Sequence, residues 1–275
     1  MTSIDFKKHH VPNKAWMHQL DSALENNHVI VVNPEGHSSV VIVCEHASNR
    51  IPASYNDLGL NGDALDSHAA WDPGAMPVAK GIAHRMNATL VASGVSRLVY
   101  DCNRPPEASD AMPAKSEVFV IPGNANLTST QREDRTNEIY EPFRSSLADA
   151  IAAKSTPIIV TIHSFTPVYD GQRRSVEVGV LHDTDERLAN AMLDIAPSFL
   201  PHNVQRNSPY GPEHGVTHTL KEHAIGAGHL NVMLEVRNDL LQSQAQQNAM
   251  AEAITQWLRA AIADLNIVED VQCQA

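Results

Sequence analysis

Five short segments of this 275-residue chain bring together side chains that bind cations, anions or protons. In Cys44-Glu45-His46-Ala47-Ser48-Asn49-Arg50, a histidine is followed three residues later by the oxygen donor Asn49. A turn or a first helical turn can bring such a pair to one metal ion, and a capped turn would use the same residues. His68-Ala69-Ala70-Trp71-Asp72-Pro73-Gly74 offers Asp72 as a hard carboxylate ligand or as a helix N-cap, roles that can coexist. Ser96-Arg97-Leu98-Val99-Tyr100-Asp101-Cys102-Asn103-Arg104 holds two arginines and an asparagine. They are either plain surface groups or a fork for a substrate carboxylate, in which a charge-assisted hydrogen bond is worth roughly 1.5–3 kcal/mol. Ile162-His163-Ser164-Phe165-Thr166-Pro167 closes an apolar run. A lone histidine there is usually structural, but with His46 in the same chain it is a credible second ligand. Finally, Glu235 interrupts the apolar stretch Val232-Met233-Leu234. Burying it unpaired costs several kcal/mol. It is either the ion-pair partner of Arg237, two residues on and on the same strand face, or a general base.

Two histidines, an Asp or Asn, a strand Glu and an Arg/Asn fork together suggest metal-assisted amide hydrolysis. The metal would lower the pKa of its water toward about 7 and polarise the carbonyl. Glu235 would take the water's proton and pass it to the leaving nitrogen. Tyr210, Thr217 and His218 lie in a long segment that could touch substrate, and Arg173 or Arg174 could bind a second carboxylate.

These residues need a frame that sets them at the ends of buried strands. Apolar, β-branched runs at His28–Val32, Val40–Cys44, Thr89–Ala92, Leu98–Tyr100, Pro157–Ile162, Val176–Leu181 and Val232–Val236 read as extended. Helical periodicity covers Asp72–Met86, Ser129–Ala153 (capped by Thr128, Ser129 or Thr130), Asp185–Ile195 and Gln242–Leu265. Such alternation predicts an α/β fold: three layers, a mixed and mainly parallel sheet flanked by helices, in a single domain over 1–275. Four of the five clusters follow apolar strands, where open α/β sheets bind ligands. Pro201–His229 lacks periodicity and reads as a long loop or lid.

Composition narrows the function classes. Twenty Lys+Arg against 32 Asp+Glu give a net charge of −12, the wrong sign for gripping a nucleic-acid backbone. No run reaches 18 uninterrupted apolar residues, so no membrane span is expected. The first thirty residues, with Lys7, Lys8, His9 and His10, lack the apolar core of a secretion signal. Cys44, Cys102 and Cys273 show no CxxC spacing, which suits a reduced, cytoplasmic protein. Of fifteen histidines, His46 and His163 are placed as ligands and His68, His218 and His223 as candidate pocket residues. The others, including His9 and His10, need only a surface role.

Taken in order, Val-Cys-Glu-His46-Ala-Ser-Asn49-Arg-Ile-Pro, Ala-Trp-Asp72-Pro-Gly-Ala, Ser-Arg97-Leu-Val-Tyr-Asp101-Cys-Asn103-Arg104, Ile-His163-Ser-Phe-Thr-Pro and Glu235-Val-Arg237-Asn-Asp-Leu resemble the N-formylglutamate amidohydrolase family, from about Val40 to Leu241. The resemblance implies hydrolysis of N-formyl-L-glutamate to formate and glutamate, the last step of one histidine-degradation route. That family is similar to the zinc carboxypeptidase and aspartoacylase group, which implies a zinc-carboxypeptidase-like fold and one divalent ion, zinc first. Carried over by position, His46 and His163 match the ligand histidines, Asn103-Arg104 the substrate-carboxylate pair and Glu235 the base. Asn49 stands where the wider group has Glu, so Asp72 is the favoured third ligand. Arg97, Arg237 and Tyr210 join the expected substrate-binding set. The expected partner is a small N-acyl amino acid, N-formylglutamate or a relative such as a small peptide amide. A metal-free binding protein on the same fold is the alternative from another class.

Overall fold

A computed structural model describes residues 27–265; the expectations for the N-terminal segment with His9 and His10, and for Cys273, lie outside it. Its centre is a seven-stranded sheet built from β1 (Val29–Val32), β2 (Val40–Cys44), β3 (Thr89–Ser93), β6 (Ile158–Phe165), β9 (Val178–Leu181), β10 (Val204–Arg206) and β11 (Leu230–Arg237), in the order β1-β3-β2-β6-β11-β9-β10. The run β3-β2-β6-β11 is parallel, as is β9-β10, while β1 and β9 pair antiparallel with β3 and β11. Two short hairpins, β4 (Lys115–Ser116) with β5 (Phe119–Val120) and β7 (Val168–Tyr169) with β8 (Gln172–Arg173), stand apart from this sheet.

The central strands β2, β6 and β11 are buried along their whole length, which is why they read as unbroken apolar runs and not as alternating ones. Seven described helices are labelled in order: α1 (Gly62–Asp66), α2 (Ala75–Met86), α3 (Ser129–Arg135), α4 (Glu141–Ala152), α5 (Arg187–Ile195), α6 (His218–His223) and α7 (Gln244–Asp264). Met76, Ile82, Leu188, Met192, Ile254 and Trp257 of α2, α5 and α7 cover one sheet face against Ile42, Val160 and Leu234. Phe143, Leu147 and Ile151 of α4, with Tyr100 and Ile121, cover the other against Val43, Ile159 and Met233. The chain is therefore the expected layered α/β structure with a mixed, mostly parallel sheet. No described helix is long and apolar enough to cross a membrane.

Several element boundaries differ from the sequence reading. Leu98–Tyr100 is a turn, not a strand: the Ser96 hydroxyl accepts from Leu98 N and the Ser96 carbonyl from Val99 N. Its apolar residues are buried because the turn is pressed into the core. The segment 129–153 is helical almost throughout, but a π-helical stretch, Thr136–Tyr140, separates α3 from α4. Pro142 lacks the N–H that a regular helix would use there, and its ring crowds the carbonyl four residues back. The segment 201–229 is not a bare loop; it contains β10 and α6. A three-residue strand with no buried member and a six-residue helix leave too little apolar periodicity to read. Strands β6 and β11 also run past the expected ends, so His163 lies within its strand and not just after it, while Glu235 lies within β11 as expected.

Candidate functional site

Parallel pairing of β11 with β6 sets Glu235 directly opposite His163. The chain leaving β2 carries Glu45 and His46 to the same end of the sheet. There Asp72 N donates to the His46 carbonyl, locking the second segment onto the first. Asp72 does not cap α2: the residue before that helix is Gly74, with φ of +85°. A Cβ at Gly74 would lie 2.5 Å from Leu241 Cβ, so both backbone and space require glycine. The Asp72 carboxylate is thereby free to point inward.

Three donor atoms converge. His46 Nδ1 and His163 Nδ1 lie 3.2 Å apart, and Asp72 Oδ2 lies 3.3 Å from the first and 2.9 Å from the second. All three residues are buried. Each imidazole turns its other nitrogen to a second carboxylate: His46 Nε2 lies 2.7 Å from Asp101 Oδ1 and His163 Nε2 lies 3.1 Å from Glu45 Oε2. A carboxylate beside Nε2 favours the tautomer with the proton there, which would leave the Nδ1 lone pair for the shared point. Two lone pairs and a carboxylate oxygen converging on one point suit a shared cation. Their spacing is close to the edge of a tetrahedron with metal–ligand bonds of about 2.0–2.1 Å, about 3.3 Å. The residues present fit a divalent ion held by two nitrogens and one oxygen, the donor set of a catalytic zinc site with an open position.

Electrostatics agree with the geometry. Burial disfavours a charged His163, yet Glu45 and Asp72 outweigh it and raise its proton affinity well above the ordinary value. His46 is raised too: burial and Arg97 oppose the shift, and Asp101 and Asp72 overcome them. The site thus lacks positive charge and would draw a cation. Asp72 is held far below the usual carboxylate range: burial opposes this, and His46 and His163 prevail. Glu235 is pushed the other way, to about 7, by burial first, with Asp72 adding to the rise. Its Oε2 is buried without a hydrogen-bond partner.

The pocket above these groups encloses about 250 Å³ and is lined by His46, Asp72, His163 and Glu235, with Arg97, Asn103, Arg104 and Tyr210 in its walls. The residues expected from sequence are not all free to act there. Arg97 is engaged with Asp101 at 2.9 Å and Asp72 at 3.5 Å. Asn103 spends its side chain inside the protein, donating to Val216 O and accepting from Thr219 N. Arg104 is oriented by Asp110 and by the carbonyls of Asn103 and Gly215, and its Nη2 has no acceptor among the described residues.

Two placements are corrected. Asn49 is no ligand: its amide donates to Leu65 O, because the turn after His46 carries it away from the pocket. Arg237 does not line the pocket, nor does it pair with Glu235. It is bound by Glu177, Asp239 and the carbonyls of Arg174 and Val176, where the segment entering β9 crosses the end of β11. His68 is in the pocket wall, paired with Glu117 at 2.9 Å. His218 and His223 are not in that wall, and His218 Nε2 meets Tyr140 Oη instead.

The sequence reading overlooked the carboxylates behind the two histidines, Glu45 and Asp101. The available signal was an acid adjoining His46 and one inside the arginine motif. Changing Asp101 to Asn is expected to weaken divalent-ion affinity by about 10–100-fold through His46, read by competition against a chelator. Unchanged affinity would remove Asp101 from the site.

A family model for N-formylglutamate amidohydrolase matches residues 38–242. A gene product of Agrobacterium tumefaciens with a known crystal structure is 49% identical, with a TM-score of 0.86, over 88% of this chain and 97% of that one. An N-formylglutamate amidohydrolase from Ralstonia eutropha is 16% identical with a TM-score of 0.61, over 86% of this chain and 98% of that one, and so shares its fold. No curated protein matches the sequence.

Proposed function

The chain belongs to the N-formylglutamate amidohydrolase family, and we propose that it hydrolyses the amide bond of N-formyl-L-glutamate to formate and L-glutamate, with Glu235 as general base. The observation carrying this reading is a buried, unpartnered carboxylate, raised to about 7, beside a convergent His-Asp-His donor set.

His46, Asp72 and His163 would hold a divalent ion, zinc by their chemistry. When bound, such an ion supplies Lewis acidity toward an amide carbonyl and eases deprotonation of water. Glu235 accepts the attacking water's proton at its free carboxylate oxygen and returns it to the departing nitrogen; a pKa near neutrality serves both directions. Gly179 stands opposite Glu235 on β9. A Cβ there would lie 2.1 Å from Ser208 O and 3.2 Å from Glu235 Cβ, so glycine keeps the wall close against the base. Arg104, held by two carbonyls and Asp110, offers its remaining Nη2 to the substrate carboxylate. Arg97 and Tyr210 complete the polar wall. At about 250 Å³ the pocket suits a small metabolite, just under the roughly 300–1,000 Å³ of drug-sized sites.

Glu117 in the same wall favours a second reading, an N-acyl amino acid with an uncharged side chain, because an acid there repels a second substrate carboxylate. Product release from N-formyl-Glu, N-formyl-Asp, N-formyl-Met and N-acetyl-Glu separates the two. The first reading expects N-formyl-Glu to be fastest. Preference for N-formyl-Met supports the second, and equal rates on all four reject the claim of an acidic substrate.

A further inference from the structure

Behind the pocket wall, outside its lining, sits a guanidinium whose contacts all reach forward. Arg174 follows the β7–β8 hairpin, and its guanidinium lies 4.8 Å from the Tyr169 ring, 4.9 Å from Tyr210 and 5.5 Å from Phe165. Its Nη2 donates to Tyr210 Oη at 3.0 Å and its Nη1 to Thr166 O at 3.3 Å. Phe165, Thr166, Tyr169 and Tyr210 all line the pocket. The Arg174 carbonyl accepts from Arg237 Nη1, and Arg237 is anchored to Asp239 and Glu177. Arg237 is two residues beyond Glu235 on β11. A continuous set of contacts therefore ties the strand bearing Glu235 to the Tyr210 phenol.

From this arrangement we propose that Arg174 is a positioning residue, fixing Tyr210 so that its hydroxyl proton is presented to the substrate oxygen at the bond being cleaved. The inference rests on the reaction proposed above. A guanidinium has donors only, so in the Arg174 contact the Tyr210 oxygen must accept. The phenolic hydrogen is then directed elsewhere, and that hydroxyl has no other hydrogen-bond partner among the described residues. Tyr210 lines the same pocket as His46, Asp72, His163 and Glu235. Burial first, then the Glu235 charge, push its pKa up to about 12, so it stays a donor at every working pH. A fixed donor in the pocket that also holds the base matches the requirement for stabilising charge on an acyl oxygen, for which loss of one donor costs about 10²–10³ in kcat. Lysine could not replace Arg174, because a single ammonium cannot stack among three rings while donating in a fixed fork.

A double-mutant cycle on formate release, with Arg174→Met, Arg174→Lys and Tyr210→Phe, tests this directly. Tyr210→Phe is expected to lower kcat by about 10²-fold with little change in KM. Both Arg174 variants should lower kcat, and neither should slow the enzyme further once Tyr210 is Phe. Additive losses, or a rise in KM at constant kcat, would overturn the proposal. 3-Fluorotyrosine installed at position 210 gives a second readout independent of turnover. Its fluorine resonance should shift in both Arg174 variants, and an unchanged resonance also overturns the proposal. Should the wild-type protein release no product from any of the four substrates, the parent reading falls by itself. The fluorine measurement then decides whether Arg174 positions Tyr210.

Discussion

Replacing Glu235 with Gln is expected to cost about 10²–10⁴-fold in kcat while making the metal-stripped protein more stable at alkaline pH. Two consequences of one residue run in opposite directions because Glu235 is held in an environment unfavourable to its charged form. Burial raises its carboxyl from an ordinary 4.5 to about 7. Across that interval the folded protein keeps a proton that the unfolded chain releases. Stability therefore falls as pH rises, by about 1.4 kcal/mol per unit for the one group. Gln abolishes the penalty. Denaturant titrations should show the stripped variant ahead of the stripped wild type by about 2–3 kcal/mol above pH 7, with the difference closing toward pH 4–5. A variant that is inactive and no more stable at about pH 8 than at about pH 5, relative to wild type, would mean Glu235 is not the strained base described here.

Asp72→Asn is expected to behave in the opposite sense. Its carboxylate receives Ser164 N, faces both imidazoles and pairs with Arg97. A carboxyl lowered in this way stabilises the fold above its unfolded value of 3.8 and ceases to do so as pH falls through its native range. The variant should therefore fail to retain a divalent ion. In stripped form near neutrality it should lose about 3–5 kcal/mol, the cost of breaking a buried charge pair. The loss should shrink in acid. Retention of a full equivalent of metal by Asp72→Asn would place the third ligand elsewhere. In the proposed reaction, two carboxylates in one pocket, shifted oppositely, would divide the work of holding a cation and moving a proton.

Much of this was legible in the amino-acid order. Unbroken apolar runs such as Val40–Cys44 mark strands covered on both faces, and Glu235 stands out because it interrupts the otherwise uncharged run Leu230–Val236. Histidine abundance was uninformative; position at the end of a buried strand distinguished His46 and His163 from the rest. What could not be read was direction. Asn49, three residues after His46, has suitable chemistry, but the turn points it at Leu65. Arg237 shares a strand face with Glu235, yet the segment crossing that end of the sheet claims its guanidinium. Arg174 was a candidate for a second carboxylate, whereas its side-chain contacts are three aromatic rings, the hydroxyl of one of them, and a backbone carbonyl, brought together from separate segments. Long-range placement of this kind depends on loop paths, which local periodicity does not encode.

Formate release from N-formyl-L-glutamate by chelator-stripped protein, followed by titration with zinc, tests the central claim most directly. Stripped protein should be inactive, and activity should return in proportion to metal and level off at about one equivalent per chain. Full turnover by protein verified to be metal-free would contradict a reaction built on His46, Asp72, His163 and Glu235.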